Sequence, residues 1–269
     1  MLVYGRMIYG GKDRVKGVSY CSNCCKYTKN ASYIGRMYWH FFLVPLIPDG
    51  PRVRIIKQCR RCGKGEHIPE ENLPAIVESL SKRSQLASSA ILDGQKQIIQ
   101  DGEPASAILS LVNLVETMCT YNMVNEVNVV RTLLEKEKRM LAHHLIDGRM
   151  MEFRGELKGA RMAYQQALGH HPDEAAVYLL LARICMRMKD VRGTGEAYEK
   201  ALPLSENRYP IYLELLKVYQ STKEWLRLAE TYEECFKVRP DLARDRSFYK
   251  DYSKACKYGG KQPIEVPAC

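Results

Sequence analysis

One interval recurs through the second half of the chain and constrains its fold more than anything in its composition. Tyr164, Tyr198 and Tyr232 stand 34 residues apart, and so do Ala167, Ala201 and Cys235; Pro172 and Pro240 are separated by twice that interval. Tyr178 and Tyr212 repeat at the same spacing, as do Leu181 and Leu215, while Met151, Cys185 and Tyr219 hold one further register. A period of this length, with small residues where helices must approach closely and aromatics where they interlock, describes a unit of two helices. One such pair cannot bury its apolar face alone, so neighbouring pairs stack and share a continuous core.

Gly148, Ala160, Tyr164, Ala167 and Pro172 in the first copy carry the pattern best, and the period resembles the tetratricopeptide repeat, a helix–turn–helix unit. Three copies fall near residues 141–174, 175–208 and 209–242, the later ones looser, with Thr194 and Leu228 at the small position and Glu206 where a Pro is expected. Residues 245–258 read as a terminal capping helix, and helices between about 104 and 140 as degenerate repeats or an N-terminal cap. The resemblance implies a concave surface, built from the first helix of each repeat, that binds a protein or peptide. Phasing places Arg149, Arg183 and Lys217 at one equivalent position on that presumed inner face, with Arg187 one turn beyond Arg183. A basic stripe there would favour an acidic ligand; pairing with Glu152 and Glu214 is the competing reading. The family's carboxylate clamp for chaperone tails expects a Lys and Asn set where this chain has Leu145, Arg149, Leu180, Pro210 and Glu214, so chaperone-tail binding of that type is not expected.

The N-terminal part carries a different signal. Cys21-Ser22-Asn23-Cys24 and Cys59-Arg60-Arg61-Cys62 are two CxxC pairs separated by 34 residues. A CxxC turn presents two sulfurs to one ion, and four thiolates satisfy the tetrahedral demand of zinc. Strand-like sequence leads into each pair, so the turns can meet as the knuckles of a ribbon, and a closed four-sulfur shell leaves no position for catalytic water. A redox role is disfavoured by the duplication and by the missing βαβ pattern. Cys25 reads as a bystander, because taking it instead of Cys24 would break the turn.

These residues resemble a family of small zinc-ribbon domains found at protein N-termini. The matching features are Val3-Tyr4-Gly5-Arg6, the first CxxC, the stretch Phe41-Phe42-Leu43-Val44-Pro45-Leu46-Ile47-Pro48, and Cys59-Arg60-Arg61-Cys62-Gly63. The resemblance implies that Cys21, Cys24, Cys59 and Cys62 hold one structural zinc ion; at Cys25 it departs from the Gly often found after such a pair. The Phe41 to Pro48 stretch has two readings: a strand and turn packing aromatics around the knuckles, or an exposed apolar loop that docks on a partner or membrane surface.

The fold class expected is mainly α, a TPR-like α-solenoid preceded by a small β zinc ribbon. The expected organisation is a ribbon over 1–68, a linker helix over 69–103, the repeat array over 104–258 and a flexible tail over 259–269. Net charge is +10, and residues 1–72 hold 13 Lys+Arg against 5 Asp+Glu. That excess keeps a nucleic-acid-associated factor as the alternative function, with Lys26, Lys29, Arg36, Arg52, Arg54, Arg60 and Arg61 interleaved with Tyr27, Tyr33, Tyr38 and Trp39. No secretory leader and no transmembrane run is read, and with cysteines taken as reduced a cytoplasmic location is expected. His143-His144 and His170-His171 are the enzymatic candidates. Both have structural explanations, and no phosphate loop, metalloprotease pair or nucleophile elbow is present, so a non-enzymatic, zinc-binding adaptor is the expectation.

Overall fold

The computed structural model describes residues 4–100 and 102–264. Residues 1–3, Asp101, and residues 265–269 of the expected tail lie outside the described residues. The chain divides into two compact units, residues 1–163 and 164–269. Both parts of the expected fold class are present: an antiparallel sheet of four strands precedes helical hairpins of the tetratricopeptide type.

In the first unit β1 (Tyr4–Cys21), β2 (Lys26–Phe41), β3 (Val44–Cys59) and β4 (Glu66–Pro69) pair in sequence order. The strands are longer than the short ones expected, because β-branched and aromatic residues run through both hairpins and bulges absorb the polar breaks. The sheet's own core is small, with Ala31, Tyr33 and Ile55 buried and Ile8 and Val53 packed beside them. It therefore leans on helices. A 3-10 turn over Glu70–Asn72 leads into α1 (Leu73–Leu92), followed by a hairpin of β5 (Gln97–Gln100) and β6 (Glu103–Ser106), then α2 (Ala107–Thr120), α3 (Val124–Lys136) and α4 (Met140–Arg154). The segment 97–106 contains a strand pair where only a loop is legible in the sequence. Leu80, Ala87 and Ile91 of α1 are buried with Leu111, Val115 and Met118 of α2 and with Ile146 and Phe153 of α4, so α1 is part of this unit's core.

Three contacts seat the sheet on that core. A Cβ at Gly17 would lie 2.6 Å from the Phe153 ring, so only glycine lets β1 come this close to α4. Buried Arg54 of β3 donates to the carbonyl of Thr120, the last residue of α2, at 3.0 Å and lies over the Tyr121 ring, where a cation meets the negative end of the helix. Glu116 of α2 takes Lys57 of β3 at 2.6 Å and Arg149 of α4 at 3.1 Å.

The helical hairpins follow the expected copies closely. α4 and α5 (Leu157–His170) form the first; in the second unit α6 (Ala175–Arg187) with α7 (Val191–Ala201), and α8 (Tyr209–Thr222) with α9 (Trp225–Val238), form the others. α2 and α3 make a fourth helical hairpin, in the region where degenerate repeats or an N-terminal cap are expected. All four share one backbone device at the turn between their helices: Asn122, Gly155, Lys189 and Lys223 adopt positive φ of 64°, 84°, 62° and 61°. Left-handed backbone at this position closes the first helix and aims the second, and glycine supplies it only once.

The repeated residues are the ones that pack. Ala160, Thr194 and Leu228, Tyr164, Tyr198 and Tyr232, and Ala167, Ala201 and Cys235 are all buried. Each buried Tyr ring removes apolar surface from water that is worth about 2 kcal/mol. α10 (Arg246–Gly259) closes the second unit by burying Tyr252, Ala255 and Cys256 against Tyr232, Cys235 and Phe236. Beyond it, Lys261 pairs with Glu233 and the Ile264 N–H donates to the Tyr252 hydroxyl, so residues 261–264 lie along α9 and α10.

Two substitutions test this packing. Gly17→Ala should destabilise the protein by roughly 1–3 kcal/mol by forcing the Phe153 ring aside, whereas Lys223→Gly should stabilise it by about 0.5–1 kcal/mol by removing left-handed strain from a side chain. Urea unfolding of each variant beside the parent chain measures both changes, and their opposite signs are the expectation.

Candidate metal centre

β1 ends at Cys21 and β3 at Cys59, so the two CxxC turns hang from the same end of the sheet with β2 between them. Each is a tight knuckle. The Cys24 N–H donates to the Cys21 carbonyl at 3.2 Å, and the Gly63 N–H to the Cys59 carbonyl at 2.9 Å. The residue after each second cysteine is left-handed, Cys25 at φ 48° and Gly63 at φ 72°. Both knuckles thus end in a left-handed residue, even though only one has the glycine that favours it.

The sulfur atoms of Cys21, Cys24, Cys59 and Cys62 gather at one point. Cys21 Sγ lies 3.7 Å from Cys62 Sγ and Cys24 Sγ 3.9 Å from Cys59 Sγ, so both distances run from one knuckle to the other. A disulfide would bring sulfurs to about 2.0 Å. Four sulfurs placed about 2.3 Å from a central ion stand about 3.8 Å apart along each tetrahedral edge. The observed distances fit the second arrangement, and these four side chains can hold a metal.

The thiol chemistry points the same way. A hydrogen bond from the Thr28 hydroxyl, 3.2 Å from Cys59 Sγ, and nearby backbone donors pull the Cys59 pKa down to about 6. The backbone at Lys64 lowers Cys62, while desolvation and the neighbouring sulfurs push Cys24 up to about 12. Four thiols this close cannot all ionise without a cation among them. Cys25 turns away, its sulfur 3.3 Å from the Ser22 carbonyl. Cys119 and Cys235 differ in kind: burial pushes them up to about 11 and about 12, as expected of inert packing groups.

The Phe41 to Pro48 stretch is not wrapped around the knuckles. It forms the turn between β2 and β3, at the other end of β2 from Cys24, and its side chains face solvent. A two-strand hairpin separates its tip from its base, so strand length alone excludes the contact.

The four basic residues singled out on the repeats have different surroundings. Arg149 is buried on α4, its guanidinium 3.1 Å from Glu116 and 3.4 Å from Glu152. Lys217 is exposed and pairs with Glu214 at 2.6 Å. Arg183, on α6, lines a hollow of about 390 Å³ with Leu179, Met186, Tyr198, Pro210 and Glu214, and Arg187 is half-buried one turn on. Glu116, which sequence reasoning missed, decides the fate of Arg149; no spacing rule links residues 33 apart on different helices. His143 Nε2 lies 3.3 Å from Asp147, its Nδ1 3.2 Å from the Arg131 carbonyl, and Arg131 itself pairs with Asp147. That group ties α3 to α4, with a guanidinium already at the carboxylate. His170 and His171 are exposed at the end of α5.

The basic and aromatic residues proposed to read nucleic acid do not form one surface. Arg54 and Tyr33 are both buried, on opposite faces of the sheet, which breaks the series. Asn30 is also buried and donates to Ser19 Oγ at 2.7 Å. No helix among the described residues is long and apolar enough to cross a membrane.

No family model matches the chain, and no curated protein matches it. Among solved structures it is similar to MamA protein, with TM-score 0.36 and 15% identity over 68% of this chain and 84% of that one. It is also similar to a kinesin-light-chain-type protein of Podosopora anserina with nearly identical TPR-like repeats, with TM-score 0.39 and 16% identity over 68% of this chain and 88% of that one; a variant of the latter gives the same values. Likeness at this level carries no argument about function.

Separate cysteine variants test the ligand set. Cys59→Ser should abolish stoichiometric metal binding and loosen the knuckle ends of β1 and β3, whereas Cys25→Ser should retain one ion per chain. Metal content by atomic absorption, with hydrogen exchange of residues 18–30 and 56–64, reads both.

Proposed function

We propose that the chain is a non-enzymatic adaptor, in which Cys21, Cys24, Cys59 and Cys62 hold one structural Zn²⁺ and the helical repeats bind another protein. Zinc is the ion of choice for four thiolates in two CxxC knuckles, since it needs no further ligand and no redox change. The assignment keeps residues 1–68 as a zinc ribbon, 69–103 as the connecting helix, 104–258 as the repeat array and 259–269 as its tail. The nine described cysteines form no disulfide, which suits a reducing, cytoplasmic setting.

The observation that carries the reading is the hollow on the first helices of the second unit. Leu179, Met186, Pro210 and Ile211 supply its apolar floor, and Arg183 supplies a cation at its wall. Arg187 on α6 and Lys217 on α8, the latter paired with Glu214, flank it. An extended or helical segment with acidic and apolar residues in alternation suits such a wall, by burial for affinity and by charge for orientation. Of the four basic residues, Arg149 contributes from within: its two carboxylate partners and its burial make it a buttress of α4. The ligand face proposed is therefore Arg183, Arg187 and Lys217.

Affinity capture from native lysate tests the adaptor reading. The whole chain should retain a protein that the Arg183→Glu, Lys217→Glu form retains at least tenfold less well, with both forms equally folded by circular dichroism. Equal capture by the two forms would remove the basic face from the account.

A further inference from the structure

The β2–β3 hairpin ends in an apolar tip used by neither the metal centre nor the helical core. Phe41, Phe42, Leu43, Val44, Leu46 and Ile47 are each at least half exposed, with Phe42 at 62% and Ile47 at 63%. Phe42 and Leu43 form the turn itself, at φ of 47° and 66°. A two-residue turn with positive φ at both positions ordinarily selects Asn-Gly. Here two bulky apolar residues take it and gain no burial, a local cost that the fold does not repay. The Tyr9 hydroxyl donates to the Leu43 carbonyl at 2.7 Å and helps hold the turn in place.

Charge is arranged behind the tip. Trp39 faces Ile47 across the ladder and is 42% exposed, with the Arg6 guanidinium over its ring at 4.9 Å. Arg6 also pairs with Asp49 at 2.9 Å. Three residues further from the tip than Trp39, Arg36 and Arg52 stand directly opposite each other on β2 and β3, with one hydrogen bond from Arg36 Nε to the Gly50 carbonyl. Like charges facing across a rung destabilise the ladder unless an anion sits between them. Asp13 and Asp49 are the only acidic residues before Glu66 in the sequence, against ten Lys+Arg over residues 4–58.

Along the hairpin the order is therefore apolar tip, aromatic belt, cationic collar. A bilayer presents the complementary order of acyl chains, interface and anionic headgroups, and tryptophan is enriched at its interface. The tip is also convex, so it requires a surface that yields around it. We propose that the β2–β3 hairpin inserts shallowly into a membrane surface containing anionic lipid, with Phe42, Leu43 and Leu46 among the acyl chains, Trp39 at the interface and Arg36 and Arg52 on lipid phosphates. This membrane contact is independent of the adaptor reading, since it uses no residue of the repeats.

The experiment uses the full chain and vesicles of phosphatidylcholine alone or with about one-third phosphatidylglycerol. Trp225→Phe leaves Trp39 as the single tryptophan. The expected result is co-sedimentation with the anionic vesicles, at least tenfold weaker on neutral ones and at raised salt, with a blue shift of Trp39 emission. Phe42→Glu, Leu46→Glu should lower binding at least tenfold, and Arg36→Glu, Arg52→Glu should remove the preference for anionic lipid. Both double variants alter exposed side chains, and retained metal content with an unchanged thermal transition shows that they fold. Failure to bind either vesicle overturns the proposal, as does binding unaffected by the Phe42 and Leu46 changes. It is equally overturned if those changes abolish self-association or capture of a protein while vesicle binding is absent.

Discussion

The junction of two knuckles at one end of the sheet is the constraint on which the N-terminal structure depends. β1 and β3 are not hydrogen-bonded neighbours, because β2 lies between them, yet the sulfurs at their ends stand within a tetrahedral edge of each other. With a core cluster of Ala31, Tyr33 and Ile55, and Ile34 and Ile56 also buried, the sheet has little apolar area of its own to hold long strands in register. An ion bound by four thiolates would contribute on the order of 10 kcal/mol to a small fold, enough to close the loop between Cys24 and Cys59 and fix both hairpins at their base. The opposite end has no such clasp, and there the strands run out into an exposed apolar turn.

The helices support the sheet at its middle. Glu116 joins Lys57 of β3 to Arg149 of α4, while Arg54 reaches the final carbonyl of α2. Arg54 and Arg149 are charged groups withdrawn from water, tolerable only because their partners lie within hydrogen-bond distance. The consequence is that strand, helix and repeat in this unit are packed as one body, and an arginine that phasing alone would send to a binding face serves as internal scaffolding. In the second unit Arg183 lines a hollow together with Leu179, Met186, Pro210 and Glu214.

The repeat half was the more legible in the sequence, for a physical reason. Stacked hairpins place the same packing demand on each copy, so Tyr164, Tyr198 and Tyr232 recur at a fixed interval and disclose the helices around them. The four cysteines were legible because metal geometry restricts both residue type and spacing. The left-handed turn residues were not, since Asn122, Lys189 and Lys223 occupy a conformation that glycine marks only at Gly155. Nor was the strand pair at 97–106, where four-residue strands are too short to show alternation. The aromatic stretch at 41–48 misled for a related reason: composition places it in the ribbon, but only strand pairing reveals at which end.

Native mass measurement combined with timed thiol alkylation tests the central claim most directly. One zinc ion per chain is predicted, with Cys25 alkylated at once and Cys21, Cys24, Cys59 and Cys62 protected until a chelator removes the metal. A folded chain that carries no metal, or in which those four thiols react as fast as Cys25, would contradict it.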